Sequence, residues 1–168
     1  NYEYMPEWMD YFDNKLFGFK NANLYRFNSD TTNWNTFFGV QYPMRVCLSW
    51  NLKDAPSAIK DVFNIALESN VAPDFTVLYA TYPWIQITDL IAGDYDGPEG
   101  VFYAEFFRDR LSANATGTPE QKMYSGDVVK DNCPKVMIEF HQYEALAYVT
   151  FVNLGFEISK GTDSLIGK

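Results

Sequence analysis

The sequence predicts an all-β protein, a mainly antiparallel sandwich or barrel-like domain with one or two short helices. Three observations carry this. Apolar and aromatic residues recur with period two in short runs, as half-buried strands require. Gly, Pro, Asn and Asp cluster between those runs, where turns need unusual φ/ψ. Aromatic residues make up 18% of the chain, with 14 Phe, 12 Tyr and 4 Trp, and such rings fit a pleated surface.

The elements follow in chain order. The run around Tyr4 to Phe12 reads either as a short aromatic helix or as an arm lying across a neighbour. Residues 16–28 read as two short aromatic strands that meet at the polar turn Lys20-Asn21-Ala22-Asn23. The phrase Asn35-Thr-Phe-Phe-Gly-Val-Gln-Tyr-Pro43 repeats that style. Val46, Leu48 and Trp50 share a strand face, with Cys47 read as a plain packed thiol in the same alternation. In residues 56–69, Ile59, Val62, Phe63 and Ala66 have helical spacing while Phe63, Ile65 and Leu67 alternate, which predicts a helix followed by a strand. Phe75, Val77 and Tyr79 share one face of the next strand. Residues 101–107 are almost continuously apolar, the pattern of a strand covered on both sides. Residues 112–131 form a long polar loop, and such loops are usually functional or mobile. Val136, Ile138 and Phe140 alternate with Glu139 opposite, and residues 146–152 and 155–159 complete the set. The turns carry residues 93–98, Gly117-Thr-Pro119 and Asn132-Cys-Pro134.

With 168 residues, one β-rich domain over 1–168 with a short N-terminal arm (1–14) is the expected organisation, and such a chain buries about 70% of its unfolded surface. The first residue, Asn1, is not a methionine, which suggests a processed or excised piece of a larger chain. The net charge of −9, from 13 basic and 22 acidic residues, argues against gripping a nucleic-acid backbone. It suits a wall that DNA must pass without sticking. No run of 18 apolar residues and no signal-peptide pattern occurs, so no membrane role is expected. Nothing favours a disulfide between the two cysteines, Cys47 and Cys133.

No catalytic, cofactor-binding or metal-ligating residue is assigned. The run Asp94-Tyr-Asp96-Gly-Pro-Glu99 places carboxylates beside glycines, as some Ca²⁺ loops do, but it lacks EF-hand spacing and reads as a turn. Asp94 with Glu99, or Glu105 with Asp109, has the composition of a glycosidase pair, which any acidic chain supplies by chance. His141 is the only histidine and reads as a strand-end or loop residue. No Gly-x-Ser-x-Gly elbow, Walker loop or Gly-x-Gly-x-x-Gly is present. Asn114-Ala-Thr116 fits the glycosylation pattern as a chance match. Arg108-Asp-Arg110 reads as a strand-end ion pair or an interface contact. Trp8, Trp34, Trp50 and Trp84 compose a potential sugar-stacking set, in which Trp50 reads as core and Trp34 as the exposed ring. The chain is not expected to be an enzyme.

The order of phrases points further. Phe17-Gly-Phe-Lys-Asn-x-x-Leu-Tyr-x-x-Asn28 comes first, then Asn35 to Pro43, then a strand ending in Trp50-Asn51. Lys60-Asp-Val-Phe-Asn64, Glu68-Ser-Asn70, Glu99-Gly-Val-Phe-Tyr-Ala104, Arg108-Asp-Arg110 and Gly155-Phe-Glu-Ile-Ser-Lys-Gly161 follow. From about Lys15 to Gly161 this resembles the C-terminal part of the tail muzzle proteins, also known as DNA stabilization proteins, of crAss-like bacteriophages. The resemblance implies a virion structural protein whose copies form a ring or tube below the portal, beside other tail and portal-proximal proteins. That tube lines or plugs the DNA exit channel and retains the packaged genome, with DNA passing nearby and no sequence-specific binding. It implies a place in the virion tail, assembled in the host bacterial cytoplasm, and supplies no active-site or cofactor residues. The family's proteins are larger than this chain. From composition, the alternative is a secreted carbohydrate- or surface-binding β-sandwich module of a gut bacterium.

Overall fold

The computed structural model describes residues 5–27, 29, 35–81, 84–112, 125–141 and 147–159. All pairings between its strands are antiparallel, and no described helix is long and apolar enough to cross a membrane. Among the described residues the helical content is two one-turn 3₁₀ segments, Ala92–Asp94 and Pro98–Gly100.

The N-terminal part is built from hairpins: β1 (Trp8–Phe12), β2 (Lys15–Lys20) and β3 (Asn23–Arg26) form one sheet, and β4 (Thr36–Phe37) pairs β5 (Val40–Gln41). Each hairpin turns on two residues of positive φ, namely Asp13-Asn14 (49° and 57°), Asn21-Ala22 (51° and 60°) and Phe38-Gly39 (53° and 78°). This is the signature of the type I′ turn, whose twist matches that of the flanking strands. Asp, Asn and Gly adopt it readily, whereas Ala22 and Phe38 do so against a steric cost. Phe38 is held by its neighbours: its ring meets Tyr25 edge-on at 5.2 Å and Phe27 at 5.1 Å, and Lys20 Nζ lies 5.2 Å from its centroid. Gly18 makes the cluster possible, because a Cβ there would stand 2.5 Å from the Phe27 ring.

Two four-stranded sheets form the larger part. The first centres on β7 (Lys60–Ser69), which pairs along its length with β13 (Val149–Ile158); the other edge pairs with β10 (Val101–Glu105) and β11 (Lys130–Asp131). The second has the order β6 (Met44–Ser49), β12 (Lys135–Phe140), β8 (Phe75–Ala80), β9 (Gln86–Ile91). The chain passes repeatedly between them, and both supply one core: Val62, Ile65, Leu67, Ala104 and Leu154 from the first, Leu78, Leu90, Val136, Ile138 and Phe140 from the second. The architecture is therefore a sandwich. Phe27 is buried but lies outside this core cluster, so the N-terminal hairpins carry their own aromatic nucleus.

Several expectations are corrected. Trp8–Phe12 is a strand, not a helix, paired in the hairpin with β2. Residues 60–69 are one strand rather than a helix followed by a strand. The register with β13 shifts at Phe63, since Asn64 faces Gly155 and Val62 faces Phe156. That bulge resets the alternation by one, putting buried Val62 and Ile65 three apart and imitating a helical period. Residues 149–158 are likewise one strand, with a second register shift at Thr150. Strand β10 is covered on one face only, with Val101, Tyr103 and Glu105 exposed and Ala104 buried. Cys47 is exposed because its neighbours Val46 and Leu48 take the inward positions; both cysteines are free. Phe75, Val77 and Tyr79 do share one face of β8, and it is the outer one: Phe75 and Val77 are half-buried and Tyr79 exposed, while Thr76, Leu78 and Ala80 point inward. The end of the 112–131 segment is not loop: Val129 is in the core and Lys130–Asp131 pair with β7, while residues 113–124 lie outside the described set.

Ala22→Gly is expected to stabilise the protein by about 0.5–1 kcal/mol, the relief of left-handed strain less the added unfolded-state entropy. Denaturant titration of both proteins checks this.

Candidate functional site

Of the acidic residues singled out by sequence, Asp94 and Asp109 bond the backbone through their carboxylates, whereas Glu99 and Glu105 face solvent. Asp94 Oδ2 accepts the Ile91 N–H at 2.8 Å and closes the first 3₁₀ turn. Asp96 exchanges both backbone bonds with Tyr103, at 2.8 and 2.7 Å. Tyr95 between them donates to Thr76 Oγ1 at 2.7 Å, and burial pushes its hydroxyl well above the ordinary tyrosine range. Glu99 is exposed at a φ of 59°. Asp109, 3% exposed, accepts from Ile87 N–H at 2.9 Å and Leu111 N–H at 3.0 Å, whereas Glu105 faces solvent. A buried carboxylate accepting two amides serves as a backbone cap, and the Glu105–Asp109 pair does not have the look of an acid/base couple. Among the described residues, no group of three His, Cys, Asp or Glu is placed to hold a metal ion.

His141 follows β12 directly, as a strand-end residue. Its ring nitrogen meets Glu139, its N–H donates to Asp74 Oδ2 at 2.6 Å, and Glu139 also accepts from Arg45 Nε at 2.6 Å. Burial alone would raise the Glu139 carboxyl, but the hydrogen bonds and charges of Arg45 and His141 outweigh it and hold the group below its usual value. Arg110 forms the ion pair expected of residues 108–110, with Asp89 at 2.9 Å. Trp50 is half-buried against the core, as expected. Trp8 and Trp84 are exposed, the latter beneath Lys130 Nζ at 6.0 Å. Trp34 and Asn114 lie outside the described residues.

What the fold does assemble is a pair of unpartnered apolar surfaces. Register aligns Trp8, Phe19 and Leu24 in one cross-strand row of the N-terminal sheet, and Asp10, Phe17 and Arg26 in the next, with Phe12 opposite Lys15. Trp8 is 52%, Phe12 75% and Leu24 64% exposed, an uncovered apolar sheet face. The second surface is an open groove of about 570 Å³ at one side of the sandwich, between β6 and β13. No described strand pairs with the outer edge of either. Inward-facing Val46 and Leu48 are only half-buried there, and Trp50, Tyr148 and Phe151 line the rim.

A third feature is electrostatic. On the outer side of the β7 sheet stand Glu68, Glu105 and Glu157, all exposed, with Lys130 beside Asp61 at one end.

The sequence signals these surfaces weakly. Trp-Met-Asp-Tyr-Phe in β1 is apolar at both parities, which a strand with one buried face would not need. The groove has no local signal, because alternation tells which side points inward and not whether a neighbour closes the edge. The chain matches no protein-family model and no curated protein.

Asp109→Ala is expected to destabilise by about 1–3 kcal/mol, through the Ile87 and Leu111 amides left without their acceptor; thermal or denaturant unfolding measures it. Ionised Glu139 adds stability above about pH 4.3, the ordinary glutamate value, and loses it as pH falls through the lowered folded value. Glu139→Gln should therefore differ most from the parent near neutrality and converge with it in acid, as read from unfolding curves between about pH 3 and 7.

Proposed function

We propose that this chain is a virion structural protein, a tail muzzle component that oligomerises below the portal, lines or plugs the DNA exit channel and helps retain the packaged genome. The observation that carries this reading is where the rings lie. Of 14 Phe, 12 Tyr and 4 Trp, only Phe27, Phe106 and Phe140 are buried among the described residues. The sandwich core is mainly aliphatic, with Trp50, Tyr95, Phe102, Phe107 and Phe156 packed at its margin, while Trp8, Tyr11, Phe12, Phe19, Phe63, Tyr79, Trp84, Tyr103, Tyr148 and Phe151 are exposed; exposed aromatic residues are a mark of protein–protein contact. The resemblance of the phrases from about Lys15 to Gly161 to those of crAss-like phage muzzle proteins supports a virion tail as the assembly. Its neighbours would be further copies in a ring or tube and other tail and portal-proximal proteins, in a virion tail assembled in the host bacterial cytoplasm.

The acidic outer face of the β7 sheet supports contact with a DNA path of the non-adhesive kind. Carboxylates facing a phosphate backbone repel it, and without clustered Lys and Arg no counterion release favours binding. Exposed Trp8 and Phe12 on one strand face favour the rival reading, a carbohydrate-binding module in which rings stack on sugars.

Light scattering with mass spectrometry on the native particle separates the two. The muzzle reading expects an assembly of many 19.4 kDa chains together with other phage proteins. A free monomer, whose retention on a glycan column is lost in Trp8→Ala, overturns it in favour of the sugar-binding module.

A further inference from the structure

We propose that the uncovered face of the β1–β2–β3 sheet on one copy of this chain seats in the β6–β13 groove of a second copy, joining copies head to tail. The inference rests on the assembly reading above and specifies its contact. Both surfaces are incomplete by themselves. On the first, Trp8, Phe19 and Leu24 form an apolar row with Phe12 beyond it, facing water. On the second, inward-facing Val46 and Leu48 remain half-buried because neither β6 nor β13 has a described strand on its outer edge.

Charge selects where a chain of net −9 meets its own copy. Residues 5–27 carry three acidic and three basic side chains, so the hairpin sheet is neutral and the negative excess lies elsewhere. Arg45 is the one charged residue within 44–50 and 148–152, the stretches that line the groove, and it is tied to Glu139. Glu68, the cross-strand partner of Phe151, is an acidic side chain at the rim, while the apolar floor between Val46, Leu48 and Trp50 is uncharged, so like-charge repulsion between copies is reduced along that floor.

Area is adequate. At up to about 250 Å² for a whole large side chain, the exposed parts of Trp8, Phe12, Phe19 and Leu24 amount to roughly 500 Å². On the groove side Tyr148 and Phe151, 55% and 57% exposed, add roughly 250 Å², and half-buried Met44, Val46, Leu48 and Trp50 extend it, so the contact approaches about 1,000 Å², the lower bound for a specific interface. Because the surfaces differ, the contact is heterologous; repeated, it closes into a ring when the rotation permits. Every copy then makes two such contacts.

Complementation tests it on the full chain. Trp8→Glu spoils only the sheet face and Phe151→Glu only the groove, and both positions are exposed. Each variant alone should be monomeric where the parent associates, with the dissociation constant raised at least about tenfold. Mixed in equal amounts, the intact sheet of one should fill the intact groove of the other, giving a 1:1 dimer of twice 19.4 kDa and nothing larger. Circular dichroism confirms folding, and Leu24→Lys with Tyr148→Lys is the pair read if either first variant unfolds. A parent that associates while the variants keep its mass, or variants that stay monomeric when mixed, overturns this contact and leaves the assembly reading standing. A parent that is monomeric both alone and in the native particle overturns both.

Discussion

Strand β7 is the constraint on which the rest of the sandwich depends. It bonds β13 along one edge and β10 and β11 along the other, so every strand of its sheet is its partner. Its backbone also reaches beyond the ladder: Val62 N–H donates to Val129 O at 2.9 Å, and Phe106 N–H donates to Phe63 O at 2.7 Å. A strand saturated on both edges satisfies its own polar groups and lets its inward residues, Val62, Ile65 and Leu67, be removed from water without penalty. Lys60 opens the strand with a fully buried side chain, and its ammonium donates to the carbonyls of Ala58 and Asn132. Those bonds offset desolvation and fix the two loops that flank the end of the sheet.

The opposite device holds the less regular end. Where no strand continues the ladder, buried side chains take the place of backbone. Gln86 accepts from Lys130 N–H at 2.9 Å and donates to Val128 O at 3.2 Å, holding the 128–130 segment as a strand partner would. Asp131 accepts from Thr81 N–H and, at 3.0 Å, from Cys133 N–H, and Asp109 caps Ile87 and Leu111. An uncovered buried amide costs about 1–3 kcal/mol, so these few side chains keep that end ordered as firmly as regular pairing would.

This division explains what the sequence showed. The β2–β3 and β4–β5 hairpins were legible because type I′ turns demand Asn or Gly at fixed places, and Asn21 and Gly39 stand there; the β1–β2 hairpin was not, although Asp13-Asn14 turn it in the same way. The alternations of β6, β8 and β12 were legible because one face of each is buried. The bulge at Phe63 was not, because an extra residue is visible only against the partner strand, and it gave a true strand a helical spacing. Cys47 was read as packed although the alternation sets it opposite Val46 and Leu48; what the alternation does not state is whether that opposite face is covered, and here it is open. The roles of Gln86, Asp109 and Asp131 were also hidden. A buried acceptor and a turn carboxylate are the same letters, and only three-dimensional neighbours separate them.

The open side of the sandwich follows from the same economy of edges. A two-sheet fold has edge strands to protect, and this one shields the β10–β11 side with the 3₁₀ turns, the Asp96–Tyr103 bridge and the polar caps. Nothing comparable among the described residues shields β6 and β13. No described strand pairs there, Phe151 and Tyr148 are exposed, and Arg45 is turned to Glu139 of the neighbouring β12. Soluble monomers blunt such edges with lysines, prolines or bulges that turn the strand away. Here the β13 bulge at Thr150 coincides with the groove and leaves Phe151 outward. An edge beside an apolar cleft, on a chain whose hairpin sheet presents bare aromatic residues, leaves two apolar surfaces facing water.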